Sequence, residues 1–247
     1  MKSYEESYKM VLPSNGYYIL RADGRAFHTF TSRFGRPWDT RIRAAMDQTT
    51  MALCKDIAGS AFAYTQSDEI SVLFVAGQQE KTEPHFGGVV QKIVSTAAAT
   101  ATLTFNCALD KVDPEYEINN FVPTFDARVF HLPSADEVAN YFIWRQRDAI
   151  RNSIQAAARS VASHKECQGK RAVDLKQLYL AKTGKRWEDI DMGERQGYVA
   201  IKVEHPFEDY IRHSWEVHQA LEFRPYWQEN YFMNIQIPRL LVDAHTN

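Results

Sequence analysis

The chain has 247 residues, with 29 Lys and Arg against 31 Asp and Glu, a net charge of −2, and 45% hydrophobic residues. These proportions exclude a disordered, collagen-like or coiled-coil chain, and the length is enough to bury a core without disulfide staples. The balanced charge argues against a uniformly basic nucleic-acid binder but leaves room for a local basic patch. In chain order, Tyr17 to Leu20 is a short apolar run stopped at Asp23-Gly24, the pattern of a buried strand ending in a turn. Asp39 is placed to cap a helix running to about Ile57, whose apolar face carries Ile42, Ala45, Met46, Thr49, Leu53 and Ile57. Ala61 to Tyr64 and Ile70 to Val75, separated by Thr65 to Glu69, predict a β-hairpin. Helix is expected from about Phe86 to Leu109, starting through Gly87-Gly88, and a fourth strand over Phe125 to Leu132. Ser134-Ala135-Asp136-Glu137 matches a capping box that starts a long helix through about Arg159.

Beyond residue 160 the pattern is weaker. Helix is expected from Asp174 to about Lys182, stopped by Gly184, then a short helix over Trp187 to Gln196 and a strand over Gly197 to Val203. The tail is aromatic and poorly periodic. Cys54, Cys107 and Cys167 are far apart with no Cys-x-x-Cys pair. That usage fits reduced thiols, read as small buried hydrophobes, in a cytoplasmic protein. No signal peptide is expected, because the first six residues carry no apolar run. The most apolar helical stretch, Val94 to Leu109, is too short to span a bilayer, so no membrane partner is expected.

The order β-α-β-β-α-β is that of a ferredoxin-like unit. The fold class expected is α+β, a palm-like antiparallel sheet with helices on one face and a helix-rich C-terminal region. The expected division is a catalytic core over residues 1–136 and a region over 137–247 packed on it. In that topology the first and third strands lie side by side, so Asp23 comes to the sheet end that carries Asp68 and Glu69. Converging carboxylates repel unless a cation neutralises them, and one or two carboxylates with open positions suit Mg²⁺ completed by substrate phosphates. Two such ions can clamp the attacking and leaving oxygens of a phosphoryl displacement. Taken alone, Asp-Gly after a strand and Asp-Glu at a hairpin are equally well a turn and a solvated tip.

The wording around these residues, Arg21-Ala22-Asp23-Gly24-Arg25-Ala26-Phe27-His28 and Tyr64-Thr65-Gln66-Ser67-Asp68-Glu69, resembles the tRNA-histidine guanylyltransferase superfamily. The likeness continues through Pro37-Trp38-Asp39, the Lys92 helix, Phe125 to Arg128 and Tyr141 to Asp148. It is strong over about residues 15–155. It implies a polymerase-palm-like core that adds nucleotides to tRNA 5′ ends in the 3′→5′ direction after activation with ATP or GTP. Asp23, Asp68 and the carbonyl of Gly24 match the ligands of two Mg²⁺ ions, and Glu69 matches an acidic residue supporting them. Arg25, Ala26, Phe27, His28, Arg36, Lys92 and Arg128 match positions around nucleotide phosphates. Arg36 stands where relatives commonly carry Lys, and Val89 where many carry Arg. Ser67 either donates to a phosphate or caps the hairpin, and an ion pair is the rival role for Arg128. Gly87 and Gly88 either admit a phosphate or turn the chain into the helix. The family's usual homotetramer, a dimer of dimers, is also implied.

Dedicated eukaryotic members carry His-Ile-Asn-Asn where this chain reads Ile150-Arg151-Asn152-Ser153. The departure resembles bacterial and archaeal "like proteins", which implies templated repair of tRNA 5′ ends ahead of obligatory guanylate addition to one tRNA. From Arg145 to Arg186 the chain carries eleven Lys and Arg against three acids, a net of +8, leaving −10 elsewhere. Such a stretch can track a phosphate backbone, with Arg145, Arg147, Arg151, Asn152, Lys165, Lys170 and Arg171 as candidate RNA contacts. Lys165 to Arg171 is expected as a loop. Its plainer reading is a solvated helix face. A nucleotidyl cyclase and an RNA binder without catalysis are the competing functions. Met46, Phe62, Phe74, Phe105 and Trp144 are expected in the core. The aromatic tail (Trp215, Phe223, Tyr226, Trp227, Tyr231, Phe232) either serves an interface or finishes the core.

Overall fold

The computed structural model describes residues 1–35, 37–76, 83–113, 115–116, 122–206 and 211–223. After a short helix α1 (Lys2–Glu6), strand β1 (Gly16–Gly24) leads through helix α2 (Phe27–Thr31) into α3 (Thr40–Asp56). The hairpin β2 (Ser60–Gln66) and β3 (Glu69–Ala76) follows, then α4 (Val90–Val112) and β4 (Phe125–Leu132). Helix α5 (Ala135–Val161) leads into α6 (His164–Cys167), α7 (Ala172–Thr183) and α8 (Met192–Gln196), and the hairpin β5 (Tyr198–Pro206) and β6 (Ile211–Gln219) closes the described chain.

The strands form one sheet in the order β4-β1-β3-β2-β5-β6, with every pairing antiparallel. The first four strands have the ferredoxin-like order expected from the sequence. Residues beyond 136 complete the same sheet, since β5 pairs with β2, Ala63 opposite Ala200. Period-two alternation sorts the side chains. Tyr18, Leu20 and Ala22 pack with Val72 and Phe74 under α3 and α4, whereas Ile19, Phe62 and Leu73 pack under Val138, Tyr141 and Phe142 of α5. Helix α4 presents Ile93, Ala97, Ala101, Phe105 and Leu109 at intervals of four, a buried stripe whose alanines let it lie close to α3.

Connection order sends every site-bearing end to the same side of the sheet. β1 ends there, β2 turns into β3 there, β4 begins there, α3 begins there and α4 ends there. Asp39 caps α3 by accepting from the Arg41 N–H at 2.9 Å, and its other oxygen accepts from the Gly35 N–H at 2.9 Å. The Arg41 side chain holds that carboxyl far below the usual carboxylate range. Helix α5 runs past the sheet end, where Ile154, Ala157 and Ala158 gather Cys167, Leu175 and Trp187 into a third cluster.

Several expectations are corrected. The tail contains a full strand, β6, paired along β5 from Tyr198–Gln219 to Pro206–Ile211. The helix expected over Trp187 to Gln196 is two pieces, a 3₁₀ turn (Trp187–Asp189) and α8. Helix α4 starts at Val90, after a 3₁₀ turn in which Phe86 and Gly87 have left-handed backbones. At Ser134 the hydroxyl accepts from the Glu137 N–H, half of the expected capping box. Of the loop expected over Lys165 to Arg171, Lys165 lies in α6, which a reciprocal Ser163–Glu166 capping box opens, while Lys170 lies in the turn between α6 and α7 and Arg171 caps α7. Cys107 is exposed while Cys54 and Cys167 are buried. Met46, Phe62, Phe74 and Phe105 are buried as expected, but Trp144 is exposed. Trp215 packs against the α3–α4 side and Phe223 against the α5 side. Tyr226, Trp227, Tyr231 and Phe232 lie outside the described residues. Among the described residues no helix is long and apolar enough to cross a membrane.

Candidate active site

Strand register builds the site. Asp23 stands directly opposite Glu69 of β3 on one side and Asp126 of β4 on the other. Partners in register share a face, so a row of three carboxylates crosses the sheet end on the α5 side. One row back, Arg21 is flanked by Ser71 and Arg128. The hairpin tip brings Asp68 to the same end, where its carbonyl accepts from the Gly24 N–H at 3.1 Å. Ser67 holds the tip with a left-handed backbone (φ 52°), and its side chain hydrogen-bonds Asp68.

The turn after β1 depends on Gly24. A Cβ there would fall 2.2 Å from the Phe27 ring, so any other residue would push the turn off the sheet end. Phe27 is clamped edge-on between Phe30, Phe105 and Phe125. Its ring is therefore core, and only its backbone is left for a ligand. Arg25 and His28 are exposed beside it, and Ala26 adopts φ 54° at the start of α2. The first N–H groups of that helix have no intrahelical acceptor.

The carboxylates differ sharply in what surrounds them. Glu69 is 6% exposed, and its two oxygens each accept from Arg145, Nε to Oε1 and Nη2 to Oε2, both at 2.6 Å. Arg145 also donates to Asp148 at 3.1 Å, and Asp148 accepts from Arg151 at 2.6 Å. Burial opposes the charge on Arg145, but Glu69 and Asp148 outweigh it and hold the guanidinium above its ordinary value. Asp23 is half-buried and accepts from Arg21 at 3.2 Å, while the Arg21 Nε, 3.7 Å from Glu69, is buried without a hydrogen-bond partner. Among the described residues no cation pairs with Asp68. Burial, with Asp23 close by, pushes its carboxyl up to about 6.

Among the described residues no three His, Cys, Asp or Glu side chains are grouped so as to hold a metal unaided. The donor set still fits Mg²⁺, which keeps open positions for water and phosphate and binds through one or two carboxylates. Asp23 and Asp68 would supply the carboxylates and Gly24 a carbonyl. The raised Asp68 marks negative charge that the protein leaves uncompensated. Glu69 does not fit as a ligand, because both its oxygens are on Arg145.

Other candidates are sorted by the same geometry. Arg145 is no RNA contact, being buried and held by Glu69 and Asp148. Lys92 is exposed at the opposite end of α4. Thirteen residues, about 20 Å of helix, separate it from Phe105 at the site end. Gly87 and Gly88 lie with it at that far end and serve the turn into α4. Arg128 donates to Asp126 at 3.0 Å, the ion pair that was its rival role. Arg36 lies outside the described residues. Arg21 and Asp126 are site residues the motif reading passed over, although alternation alone puts them on the faces of Asp23 and Arg128. Arg147, Arg151, Asn152, Lys165, Lys170 and Arg171 are exposed. Arg151, Arg171, Lys176, Lys182 and Arg186 are paired with Asp148, Asp174, Glu188, Glu166 and Asp189. Arg147, Arg159, Lys165, Lys170 and Lys185 have no ion-pair partner among the described residues.

The family model described as Thg1, tRNAHis guanylyltransferase, matches residues 1–133. A bacterial tRNA(His) guanylyltransferase (Thg1)-like protein solved in complex with ATP is 32% identical, with 96% of each chain covered and a TM-score of 0.82. A bacterial protein of the same description solved with GTP is 33% identical over 89% of each chain, with a TM-score of 0.72. The tRNA(His) guanylyltransferase of Debaryomyces hansenii is 31% identical over 157 residues, 62% of this chain and 57% of that one.

Two outcomes are expected. Glu69→Gln leaves the buried Arg145 charge with Asp148 alone and costs about 3 kcal/mol in denaturant unfolding, and the double change Glu69→Gln with Arg145→Met regains part of it. Asp68 is raised in the fold, so its neutral form contributes stability that is full below about pH 4 and lost as pH rises through about 6. Without divalent cations, Asp68→Asn therefore stabilises the protein at pH 7.5 by on the order of 1–2 kcal/mol and has little effect at pH 4, as read by thermal unfolding.

Proposed function

The chain belongs to the tRNAHis guanylyltransferase family and is a nucleotidyltransferase acting on tRNA, and from that footing we propose that it repairs tRNA 5′ ends by templated, Mg²⁺-dependent 3′→5′ addition after activation with ATP or GTP. The observation that carries this reading is the meeting of Asp23 and the half-buried Asp68, unpaired with any cation among the described residues, at one sheet end.

Asp23, Asp68 and the Gly24 carbonyl would hold Mg²⁺, and bound there it would neutralise charge developing on phosphoryl oxygens. Arg21 and Arg128 stand one row behind the carboxylates on the same face, so anionic oxygens at the sheet end meet guanidinium groups next. Arg25, His28 and the free N–H groups of the first turn of α2 offer further donors at its rim. Glu69 and Arg145 act on geometry, fixing the end of β3 against α5. The exposed cations Arg147, Lys165 and Lys170, with Arg151, Arg171 and Asn152, lie beyond that end, where a polymer leaving the site would run.

Templated repair is favoured over dedicated guanylate addition by the sequence at residues 150–153. Ser153 is buried, and its hydroxyl donates to the carbonyls of Ile150 at 2.9 Å and Arg195 at 3.3 Å, tying α5 to α8. The likeness over 96% of the chain to a bacterial "like protein" supports the same choice. A homotetramer goes with this reading and rests on the family resemblance, and a cytoplasmic location goes with it from the cysteine usage.

The test is incubation with Mg²⁺, all four nucleoside triphosphates and a 5′-monophosphorylated tRNA lacking its first nucleotide. Extension should follow the opposing base, so changing that base changes the nucleotide added. Guanylate added regardless of the opposing base would favour the dedicated reaction, a cyclic nucleotide product a cyclase, and binding without extension a non-catalytic RNA binder. Asp23→Ala should abolish extension while RNA affinity is largely retained. Arg147→Ala should weaken RNA binding across sequences and flatten the log–log salt dependence by about one.

A further inference from the structure

Trp144 lies in a turn of α5 whose neighbours Ile143, Arg145 and Gln146 are buried, yet 51% of it is exposed. A single exposed aromatic residue needs no explanation in general. Its mounting is what matters here. The Arg145 guanidinium lies 4.5 Å from the centre of the indole, and that guanidinium is fixed by its two bonds to Glu69. The Tyr141 ring supports the indole from 5.9 Å at 60°, and the Tyr141 hydroxyl is 2.8 Å from the Ser71 hydroxyl on β3. Both supports are thus anchored on the strand that follows Asp68. The ring is a rigid flat surface one side chain removed from the carboxylate row.

Helical spacing continues this surface. Arg147 and Arg151, at i+3 and i+7, fall on the same side of α5 and are both exposed. Arg151 stands about 10 Å along the helix from Trp144. An aromatic face followed by a line of cations is the arrangement that holds a nucleic-acid strand, base on ring and backbone on charge. A polymer brings one phosphate for each successive nucleotide to such a line of cations. Stacking is also indifferent to base identity, as an enzyme that rebuilds any 5′ end requires.

We propose that Trp144 is a stacking platform for the terminal base of the RNA 5′ end, with Arg147 and Arg151 taking the phosphates behind it. The assignment of that RNA end as the substrate rests on the repair reading above, but the binding test below needs no turnover.

A short blunt-ended RNA hairpin carrying a 5′-monophosphate is titrated into the full chain without nucleotides. The chain has five tryptophans, so the difference between wild type and Trp144→Phe isolates the signal of this one. Wild-type fluorescence should be quenched by the hairpin, with part of the quench missing in Trp144→Phe. Trp144→Ala should weaken hairpin binding about 5- to 100-fold, with Trp144→Phe restoring most of it, and ATP affinity should not move. Hairpin affinity unchanged in Trp144→Ala, or a loss confined to ATP binding, would overturn the platform. A quench that is the same in Trp144→Phe would do so too, without recourse to the truncated variant. Binding of the hairpin with the Trp144 signal, while the truncated tRNA given Mg²⁺ and nucleoside triphosphates is never extended, upholds the platform and removes the repair reading.

Discussion

The two-pronged bond between Glu69 and Arg145 is the contact on which this end of the molecule depends. It joins β3, the strand leaving the Asp68 tip, to α5, the helix covering the opposite face from α3 and α4. Stability is not its main consequence, since a well-packed apolar pair of similar volume would hold α5 as well or better. Its consequence is arrangement. Glu69 is neutralised beside Asp23, so the row of carboxylates is tolerated without a cation on every member. Arg145 is drawn inward and sets its flat face against Trp144. Asp148 and Arg151 extend the alternation of charge outward along α5 to the solvent.

The same contact divides the acids by task. Glu69 is a fastener, Asp23 is steadied by Arg21, and Asp68 is left half-buried with no counter-charge among the described residues. The last is the least comfortable group in the site and the one whose charge a bound cation would most relieve. The glycine before the turn and the phenylalanine beneath it keep the backbone close over this point. A small residue at 24 and a large one at 27 are therefore one feature seen from two positions.

Charge on the polymer side is likewise more structured than a count conveys. The +8 stretch is real in the sequence, yet Arg145 is internal and Arg151, Arg171, Lys176, Lys182 and Arg186 each face a carboxylate in space. Glu188 and Asp189 lie just past the counted segment, and Glu69 comes from a distant strand. What remains open among the described residues is a smaller set, Arg147, Arg159, Lys165, Lys170 and Lys185, spread along α5 to the end of α7. A polyanion can still follow such a set, with exposed pairs yielding readily because surface ion pairs are weak.

Local pattern was enough for β1 to β4, α3 to α5 and their order. Short apolar runs marked β1 to β3, alternation marked β4, an apolar face spaced by threes and fours marked α3, and Gly184 marked the end of α7. From that order the adjacency of β1 and β3, and so the meeting of Asp23 with Asp68 and Glu69, followed by topology. Strand β6 was hidden because its residues, polar and aromatic on a half-exposed outer edge, carry little periodicity. The fate of individual side chains depended on what lies opposite them across the fold. Glu69 and Arg145 are 76 residues apart, and nothing near either one in the chain announces the other. Trp144 has the composition of a core residue and became a surface because Arg145 and Gln146 took the inward positions of that turn. Lys92 sits in a phosphate-like motif position, but a helix of fixed rise carries it to the far end of the sheet. Composition and periodicity report on neighbours along the chain, and so they determine elements. Which charges meet, and which remain free to act, is decided by contacts between residues that only folding brings together.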